Sequence, residues 1–209
     1  MKTFVFAIGG TGSRVLRALT MLMAADIDVK QTIIPVIIDM DTRNGDAQRT
    51  LKALDLYRII SQSAYADESG ENGFFRNQFG TLGSINQGAK GQQVDSGIKD
   101  SFQLDFGDVN VTFYDYVKGV QLSKVDNDFL ESLFDNSPSH DPNTELNLKL
   151  HHGFKGNPNI GSVVFNNIIN TPEFKHFENV FSEGDRIFII SSIFGGTGSS
   201  GFPQLVKNL

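Results

Sequence analysis

Three mainly apolar runs mark the chain, at residues 4–8, 33–38 and 185–193, the last with its continuous part at 187–190. Each is too short for a buried helix, and each ends in glycine-rich or acidic sequence. Runs that are hydrophobic on both faces are typical of strands covered on both sides in a parallel sheet. We therefore predict three β-strands at these positions. Pro35 weakens the second prediction slightly, because proline cannot donate to a sheet ladder.

Helical spacing follows the first two runs. Behind the first, the apolar positions that repeat at this spacing are Val15, Leu16, Leu19, Leu22 and Met23. Behind the second, Asp46 is predicted to cap a helix over 47–61, with Leu51, Leu54 and Ile59 among its buried residues. The first sixty residues therefore predict the order β-α-β-α.

The pattern becomes polar and glycine-spaced between residues 62 and 150, and we interpret this stretch as an insertion within one domain that spans 1–209. Inside it, alternation over 111–117 predicts a strand and the amphipathic segment 126–134 predicts a helix. After it come a glycine loop at 153–161 and a helix that begins at Thr171-Pro172. That helix is expected to carry Phe174, Phe177 and Phe181 on one face.

Composition removes several classes of function. The chain has 209 residues, a net charge of −6 and no cluster of Lys and Arg, so nucleic-acid binding is not expected. The absence of cysteine excludes disulfides, thiolate zinc sites and a cysteine nucleophile. We find neither a signal peptide nor an apolar run of membrane-spanning length, and we expect a cytoplasmic protein.

Two glycine-rich loops of similar sequence are the main candidates for a binding site. Residues 9–13 and 195–199 each follow a predicted strand and precede a helix. A strand that leads through glycine into a helix presents unpaired backbone N–H groups and the positive end of the helix dipole, which attract phosphate. One such loop is explained equally well by the steric needs of a tight turn. Two of them at the same edge of a parallel sheet can face a single ligand with several phosphates.

Three familiar motifs do not fit these loops. A dinucleotide fingerprint needs glycine or alanine where Val15 stands, and Asp39 lies too far beyond Gly12 for the ribose carboxylate. A P-loop needs a lysine that neither loop contains. A serine-nucleophile elbow needs glycine two residues on either side of the serine, and the spacing at 198–201 misses this by one.

The last loop resembles a known family. The apolar run at 185–193 and the sequence Gly195-Gly196-Thr197-Gly198-Ser199-Ser200-Gly201 are similar to the tubulin/FtsZ signature, Gly-Gly-Thr-Gly-(Ser/Thr)-Gly after an apolar strand. Pro203 stands where the FtsZ branch has a proline. Residues 8–13 are similar to the first glycine loop of that family, and 153–161 resemble its Gly-x-Gly-x-x-x-Asn-Pro-x-x-Gly loop with one residue fewer. Asp41-Thr42 and 46–48 are similar to the family's Asn-Thr-Asp-Ala-Gln segment, with an insertion between the pieces.

The resemblance implies a fold and a ligand. The fold would be an α/β three-layer sandwich with a mainly parallel, Rossmann-like sheet of the tubulin/FtsZ N-terminal type, carrying the 62–150 insertion. The ligand would be GTP or GDP, with Mg²⁺ as a further candidate. The residues assigned to this site are Gly9, Gly10, Thr11, Gly12, Ser13, Asp39, Asp41, Gly156, Asn157, Gly195, Gly196, Thr197, Gly198, Ser199 and Ser200.

The resemblance also implies an activity, a GTPase that self-assembles into filaments under nucleotide control. In that family later helices read the base, and acidic residues of a neighbouring subunit complete hydrolysis. We therefore expect the 209 residues to be an N-terminal fragment that binds nucleotide weakly, has no catalytic residue of its own and does not turn over.

Two departures from the family pattern keep other functions open. Ser200 replaces the final signature glycine, and the 62–150 stretch is longer than in FtsZ. They favour, as an alternative, a tubulin-like scaffold that binds partners without cycling nucleotide. An NAD(P)-dependent oxidoreductase is a further alternative.

Overall fold

The computed structural model describes residues 1–27, 29–41, 45–64, 74–85, 97–102, 104, 106, 108, 110–118, 123–134 and 144–209. Its strands are β1 (Lys2–Ile8), β2 (Thr32–Ile38), β3 (Ser101–Phe102) and β4 (Arg186–Ile190). Its helices are α1 (Gly9–Ala24), α2 (Gly45–Ala64), α3 (Phe113–Lys118), α4 (Lys124–Leu133), α5 (Pro158–Phe165), α6 (Pro172–Val180) and α7 (Gly196–Asn208).

The described strands form one parallel sheet in the order β3-β2-β1-β4. In register, Ile8 at the end of β1 stands beside Ile38, and Ala7 stands beside Ile190. This confirms the predicted α/β class with a parallel, Rossmann-like sheet, and the order matches the first four strands of the usual doubly wound arrangement. β3 was not predicted, because two residues are too few to show a period.

Alternate residues of β1 face two separate cores. Val5 and Ala7 lie against α1 and α2, together with Leu16 and Leu54. The opposite face of the strand contributes to a larger core built mainly from β2, α5, α6 and the 102–150 region, whose fully buried aromatic side chains are Phe4, Phe6, Phe102, Phe113, Phe154, Phe165 and Phe174. The sheet is thus covered on both faces, which explains why its strands read as continuous apolar runs.

Pro35 sits in an interior strand without breaking it. The N–H groups of Ile33 and Ile37 donate to Gln78 O (3.0 Å) and Asp100 O (2.8 Å) on the β3 side of β2. Pro35 lies between these two residues on the same side, in the gap between two short pairings. The hydrogen bond that proline cannot donate therefore falls where no neighbouring strand needs it.

The predicted strand over 111–117 is wrong, because this segment starts helix α3. Thr112 N donates to the Asp115 carboxylate (3.2 Å), and Asp115 N donates back to Thr112 Oγ1 (3.1 Å). These reciprocal bonds form a capping box, which fixes the first helical turn. Phe113 is fully buried, so local capping and burial outweigh the alternation of the sequence.

The other helix predictions hold with adjustments. Thr171 caps α6 through the N–H of Phe174, and Ser123 caps α4. α2 begins at Gly45, so Asp46 lies in its first turn and is not the cap. Four of the apolar residues at the predicted helical positions are exposed, namely Val15, Leu22, Ile59 and Phe181, and Leu51 is partly buried.

Parts of the 62–150 stretch belong to the main core. β3 extends the sheet beside β2, and Phe102, Phe113 and Leu148 are buried in the larger core. The described portions of this stretch therefore contribute a strand and buried side chains to the main domain. Within the described ranges, no helix combines the length and the apolar character that a bilayer crossing requires.

Candidate functional site

The carboxyl ends of the strands define one edge of the sheet, and the predicted site residues lie there. β1 passes directly into α1 at Gly9, and β4 leads through residues 191–195 into α7 at Gly196. β2 and β4 lie on opposite sides of β1, so the direction of winding reverses between β1 and β4. In open α/β sheets, ligands bind at this switch point because the loops on the two sides diverge and leave a crevice.

The two glycine loops meet at the switch point. Gly9 has a φ of +69°, a conformation that side chains disfavour. A β-carbon built on Gly9 would lie 3.5 Å from Thr197 Cβ and 3.6 Å from Gly198 N. The start of α1 and the start of α7 are therefore neighbours, although they are almost the whole chain apart in sequence.

Close backbone approach holds both helices against the strand ends. A β-carbon on Gly12 would lie 2.8 Å from Ile190 O, and one on Gly198 would lie 2.5 Å from Ser192 O. Both distances are too short for any side chain. Ser191 also donates to Gly198 O at 2.9 Å. α1 and α7 thus aim their amino termini at the same edge with little freedom to move away.

The third loop lies against both the second glycine loop and the end of β2. A β-carbon on Gly196 would be 2.5 Å from Phe154 Cβ, and one on Gly153 would be 3.3 Å from Asp41 Cβ. Around Gly156 and Gly195, by contrast, a β-carbon would meet nothing within 4 Å. The structure therefore gathers 9–13, 39–41, 153–157 and 195–199 at one edge and leaves the outermost glycines of two loops open.

Among the helices whose amino-terminal caps the structure describes, capping differs between this edge and the rest of the molecule. α4 and α6 have side-chain caps from Ser123 and Thr171, whereas α1, α5 and α7 have no side-chain cap hydrogen bond. The first turn of an uncapped helix leaves N–H groups without an internal partner. All three helices begin at the loops that sequence reasoning assigned to the phosphates, including Asn157 just before α5.

Two buried polar atoms near these loops have no hydrogen-bond partner. They are Ser13 Oγ, in the first turn of α1, and Asp39 Oδ2, just beyond β2. Ser13 is fully buried and Asp39 is 8% exposed. An unsatisfied buried polar atom costs about 1–3 kcal/mol, so pairing of these atoms with a water, an ion or a ligand would be favourable.

Burial dominates the electrostatics of Asp39. The pKa of its carboxyl is raised to about 6, mainly by loss of solvation and also by the charges of Asp41 and Asp46. Hydrogen bonds from the backbone of Asp41 (3.1 Å) and Met40 oppose this rise. Asp46 in turn lies near three guanidinium groups, those of Arg14 (3.9 Å), Arg17 (3.5 Å) and Arg49 (3.7 Å). The amino-terminal halves of α1 and α2 therefore carry positive charge that partly balances the carboxylates.

The two serine hydroxyl groups at the start of α7 have internal partners. Ser199 donates to Gly195 O, and Ser200 donates to Gly196 O at 2.5 Å. Ser200 is fully buried. It faces Gly161 of α5 so closely that a β-carbon built on Gly161 would lie 2.7 Å from Ser200 Cβ. Ser200 therefore packs α7 against α5, while Thr197 is only partly buried and Thr11 is exposed at the edge.

The sequence did not single out the residues that position these loops. Phe154 packs against Gly196, and Ser191 donates a hydrogen bond to Gly198 O. Thr50 donates to Ser13 O at 2.8 Å. Phe154 lies inside the predicted third loop and Ser191 at the end of the predicted third strand. No local pattern marks either one, because a contact with a glycine loop leaves no signature in the spacing of the sequence.

No protein-family model, curated protein or solved structure matches this chain. Among the described residues, no group of three His, Asp or Glu side chains is arranged to hold a metal. Mg²⁺ is commonly held by only one or two carboxylates together with phosphate oxygens and water. Asp39, with its unpartnered buried oxygen, suits that mode better than a site made wholly of protein ligands.

Proposed function

We propose that this edge binds the phosphates of a nucleotide. The observation that carries the proposal is the convergence of the uncapped amino termini of α1, α5 and α7, with Gly9 packed on Thr197 at the switch point. Backbone N–H groups at helix starts, together with the helix dipoles, favour an anion. A ligand with several phosphates would engage the two glycine loops together.

The resemblance of 185–203 to the tubulin/FtsZ signature supports guanine nucleotide as that ligand and a self-assembling GTPase as the activity. In this proposal, backbone groups of 10–13 and 195–199 cradle the phosphates, with Thr197 at their centre. Gly156 and Asn157 approach the terminal phosphate, and Asp39 or Asp41 would hold Mg²⁺ near it. No residue here is assigned to the cleavage step, so the 209 residues bind nucleotide without hydrolysing it.

One of the two observations that favoured a scaffold without nucleotide cycling no longer supports that alternative. It rested partly on Ser200, which was expected to place a side chain beside the phosphates. That side chain instead packs between α7 and α5, and its hydroxyl donates to Gly196 O. The open space at Gly195 therefore stays compatible with an anion.

The test is a calorimetric titration of the protein with GTP, GDP, guanosine, ATP and NADH. We expect affinity to follow the number of phosphates and guanosine alone to bind far more weakly, because the contacts are made to phosphate. Equal affinity for GTP and ATP would preserve the phosphate site and contradict the guanine assignment. Preference for NADH would favour the oxidoreductase, and binding of none by a folded protein would favour the scaffold.

A charge variant locates the site. Thr11 is exposed in the first turn of α1, so Thr11→Glu places a carboxylate at the loop without disturbing the core. Met21→Glu adds the same charge to the same helix about 15 Å away along its axis. We expect Thr11→Glu to weaken GTP binding by about tenfold or more and Met21→Glu to leave it nearly unchanged. Equal effects in both variants would contradict this location.

A further inference from the structure

Three arginine side chains surround one carboxylate near the starts of α1 and α2. The guanidinium groups of Arg14, Arg17 and Arg49 lie 3.9, 3.5 and 3.7 Å from the Asp46 carboxylate. These distances are longer than the roughly 2.7–2.9 Å of a charge-assisted hydrogen bond, so each is a loose ion pair. We call these four residues the arginine cluster. Within it, three positive charges face one negative charge.

The three arginines of the cluster differ in how firmly they are held. The side chain of Arg17 is 22% exposed, and its Nη1 atom is buried without a hydrogen-bond partner. The side chains of Arg14 and Arg49 are 59% and 69% exposed. Exposed ion pairs contribute little to stability, because water solvates both charges almost as well. Arg14 can therefore turn away from Asp46 at little cost, and the carboxylate keeps two other arginines.

Of these three arginines, Arg14 also reaches the first glycine loop. Its Nη2 atom donates to Thr11 Oγ1 at 3.3 Å. Side chains of an α-helix lean toward its amino terminus, which explains how a residue of the second turn places its guanidinium beside the first turn. Thr11 is exposed and lies within the 9–13 loop, whose backbone is proposed to bind phosphate. The guanidinium of Arg14 is thus open to solvent and adjacent to that backbone.

The arginine cluster lies on the β2 side of the proposed site. Asp46 is in the first turn of α2, which follows β2, and its charge acts on Asp39 just beyond that strand. The contact of Thr197 with Gly9 lies on the other side, where β4 leads into α7. In the proposed binding mode Asp39 is near the terminal phosphate. Arg14 therefore stands on the side of the terminal phosphate.

We propose that Arg14 binds the terminal phosphate of the nucleotide and makes the site prefer a triphosphate to a diphosphate. This inference rests on the proposed function. On binding, the guanidinium would turn from Asp46 to two phosphate oxygens, which its planar fork of N–H groups suits well. Arg17 and Arg49 would stay with Asp46, so that binding leaves no carboxylate of the cluster without a cation.

Calorimetric titration of GTP and GDP into the natural chain, Arg14→Gln and Arg49→Gln tests this inference. We expect Arg14→Gln to weaken GTP binding by about tenfold or more and GDP binding by less than about threefold. The preference for GTP should therefore fall. Arg49→Gln is the matched control, because it removes a similarly exposed arginine from the same carboxylate but from the neighbouring helix. It should change both affinities by less than about twofold.

The possible results separate this inference from the proposed function. Equal losses of GTP and GDP affinity in Arg14→Gln would overturn the inference and leave the phosphate site in place. The same would follow if Arg49→Gln weakened GTP binding as much as Arg14→Gln. A natural chain that binds neither nucleotide would overturn the proposed function and this inference together. Thermal melts of both variants, expected to match that of the natural chain, exclude unfolding as the cause of a loss.

Discussion

Thr197 packs its side chain against Gly9, so that a β-carbon on Gly9 would lie 3.5 Å from Thr197 Cβ and 3.6 Å from Thr197 Cγ2. This contact joins the start of α7 to the start of α1 at the carboxyl end of the sheet. It is made by the carbon atoms of Thr197 and does not require the hydroxyl. The packing and ligand roles of this residue can therefore be separated by substitution.

Thr197→Val is expected to leave stability almost unchanged and to weaken nucleotide binding. Valine keeps both carbon contacts to Gly9 and removes only the hydroxyl, whose hydrogen bond to a phosphate would be lost. A charge-assisted hydrogen bond is worth about 1.5–3 kcal/mol, so affinity should fall by about tenfold or more. Titration calorimetry and a thermal melt on the same sample measure the two effects; an unaltered affinity would show that the hydroxyl is not a ligand group.

Gly12→Ala is expected to destabilise the fold strongly. Its β-carbon would lie 2.7 Å from the carbonyl carbon of Ala7 and 2.8 Å from Ile190 O, and neither backbone can retreat inside the sheet. We expect a loss of roughly 2–4 kcal/mol of unfolding free energy, measured by urea denaturation. Gly156→Ala is the control, because only backbone strain opposes it: its φ is +85° and the space around it is open. A loss at Gly156 as large as that at Gly12 would contradict the steric explanation.

Gly161 and Ser200 form a coupled pair between α5 and α7. A β-carbon on Gly161 would lie 2.7 Å from Ser200 Cβ and 2.8 Å from the Phe154 ring. Gly161→Ala should therefore cost several kcal/mol, and adding Ser200→Gly should restore part of that loss by removing one of the two clashes. A double-mutant cycle in urea gives the coupling. Additive effects of the two substitutions would show that the helices separate and do not interlock here.

Asp39 should make stability depend on pH in a defined direction. Its folded-state pKa of about 6 lies above the ordinary 3.8 because burial disfavours the charged carboxylate. Between these values the folded chain retains a proton that the unfolded chain has lost, so stability falls as pH rises through this window. Above the window the charged, buried carboxylate opposes folding by roughly 1–3 kcal/mol.

Asp39→Asn removes that contribution. Relative to the natural chain, the variant should gain stability steadily from about pH 4 to pH 6 and keep a constant advantage above that range. Urea midpoints of both proteins at several pH values provide the measurement, and the difference between them cancels the titration of all other groups. A difference that does not change with pH would show that Asp39 titrates normally.

Local sequence predicted most of the units of this fold. β1, β2, β4, α1, α6 and α7 follow from apolar runs, glycine turns and a Thr-Pro start, since hydrophobic periodicity and capping act over a few residues. The same local reasoning failed at 111–117, where the capping box of Thr112 and Asp115 produced a helix from an alternating segment. It also grouped the exposed Val15 and Leu22 with the buried Leu16 and Met23, because helical spacing does not show which of the apolar positions a neighbouring element covers.

The sequence by itself identified the candidate site residues, because glycine at the junction of strand and helix is a local requirement. Only the tertiary structure decided that β4 lies beside β1, and hence that Gly9 and Thr197 touch. Tertiary structure likewise determines that Ser13 Oγ and Asp39 Oδ2 are buried without hydrogen-bond partners. It also determines that the Ser200 side chain packs between α5 and α7. These features depend on contacts between segments far apart in the chain, and their free energy comes from packing that no local pattern encodes.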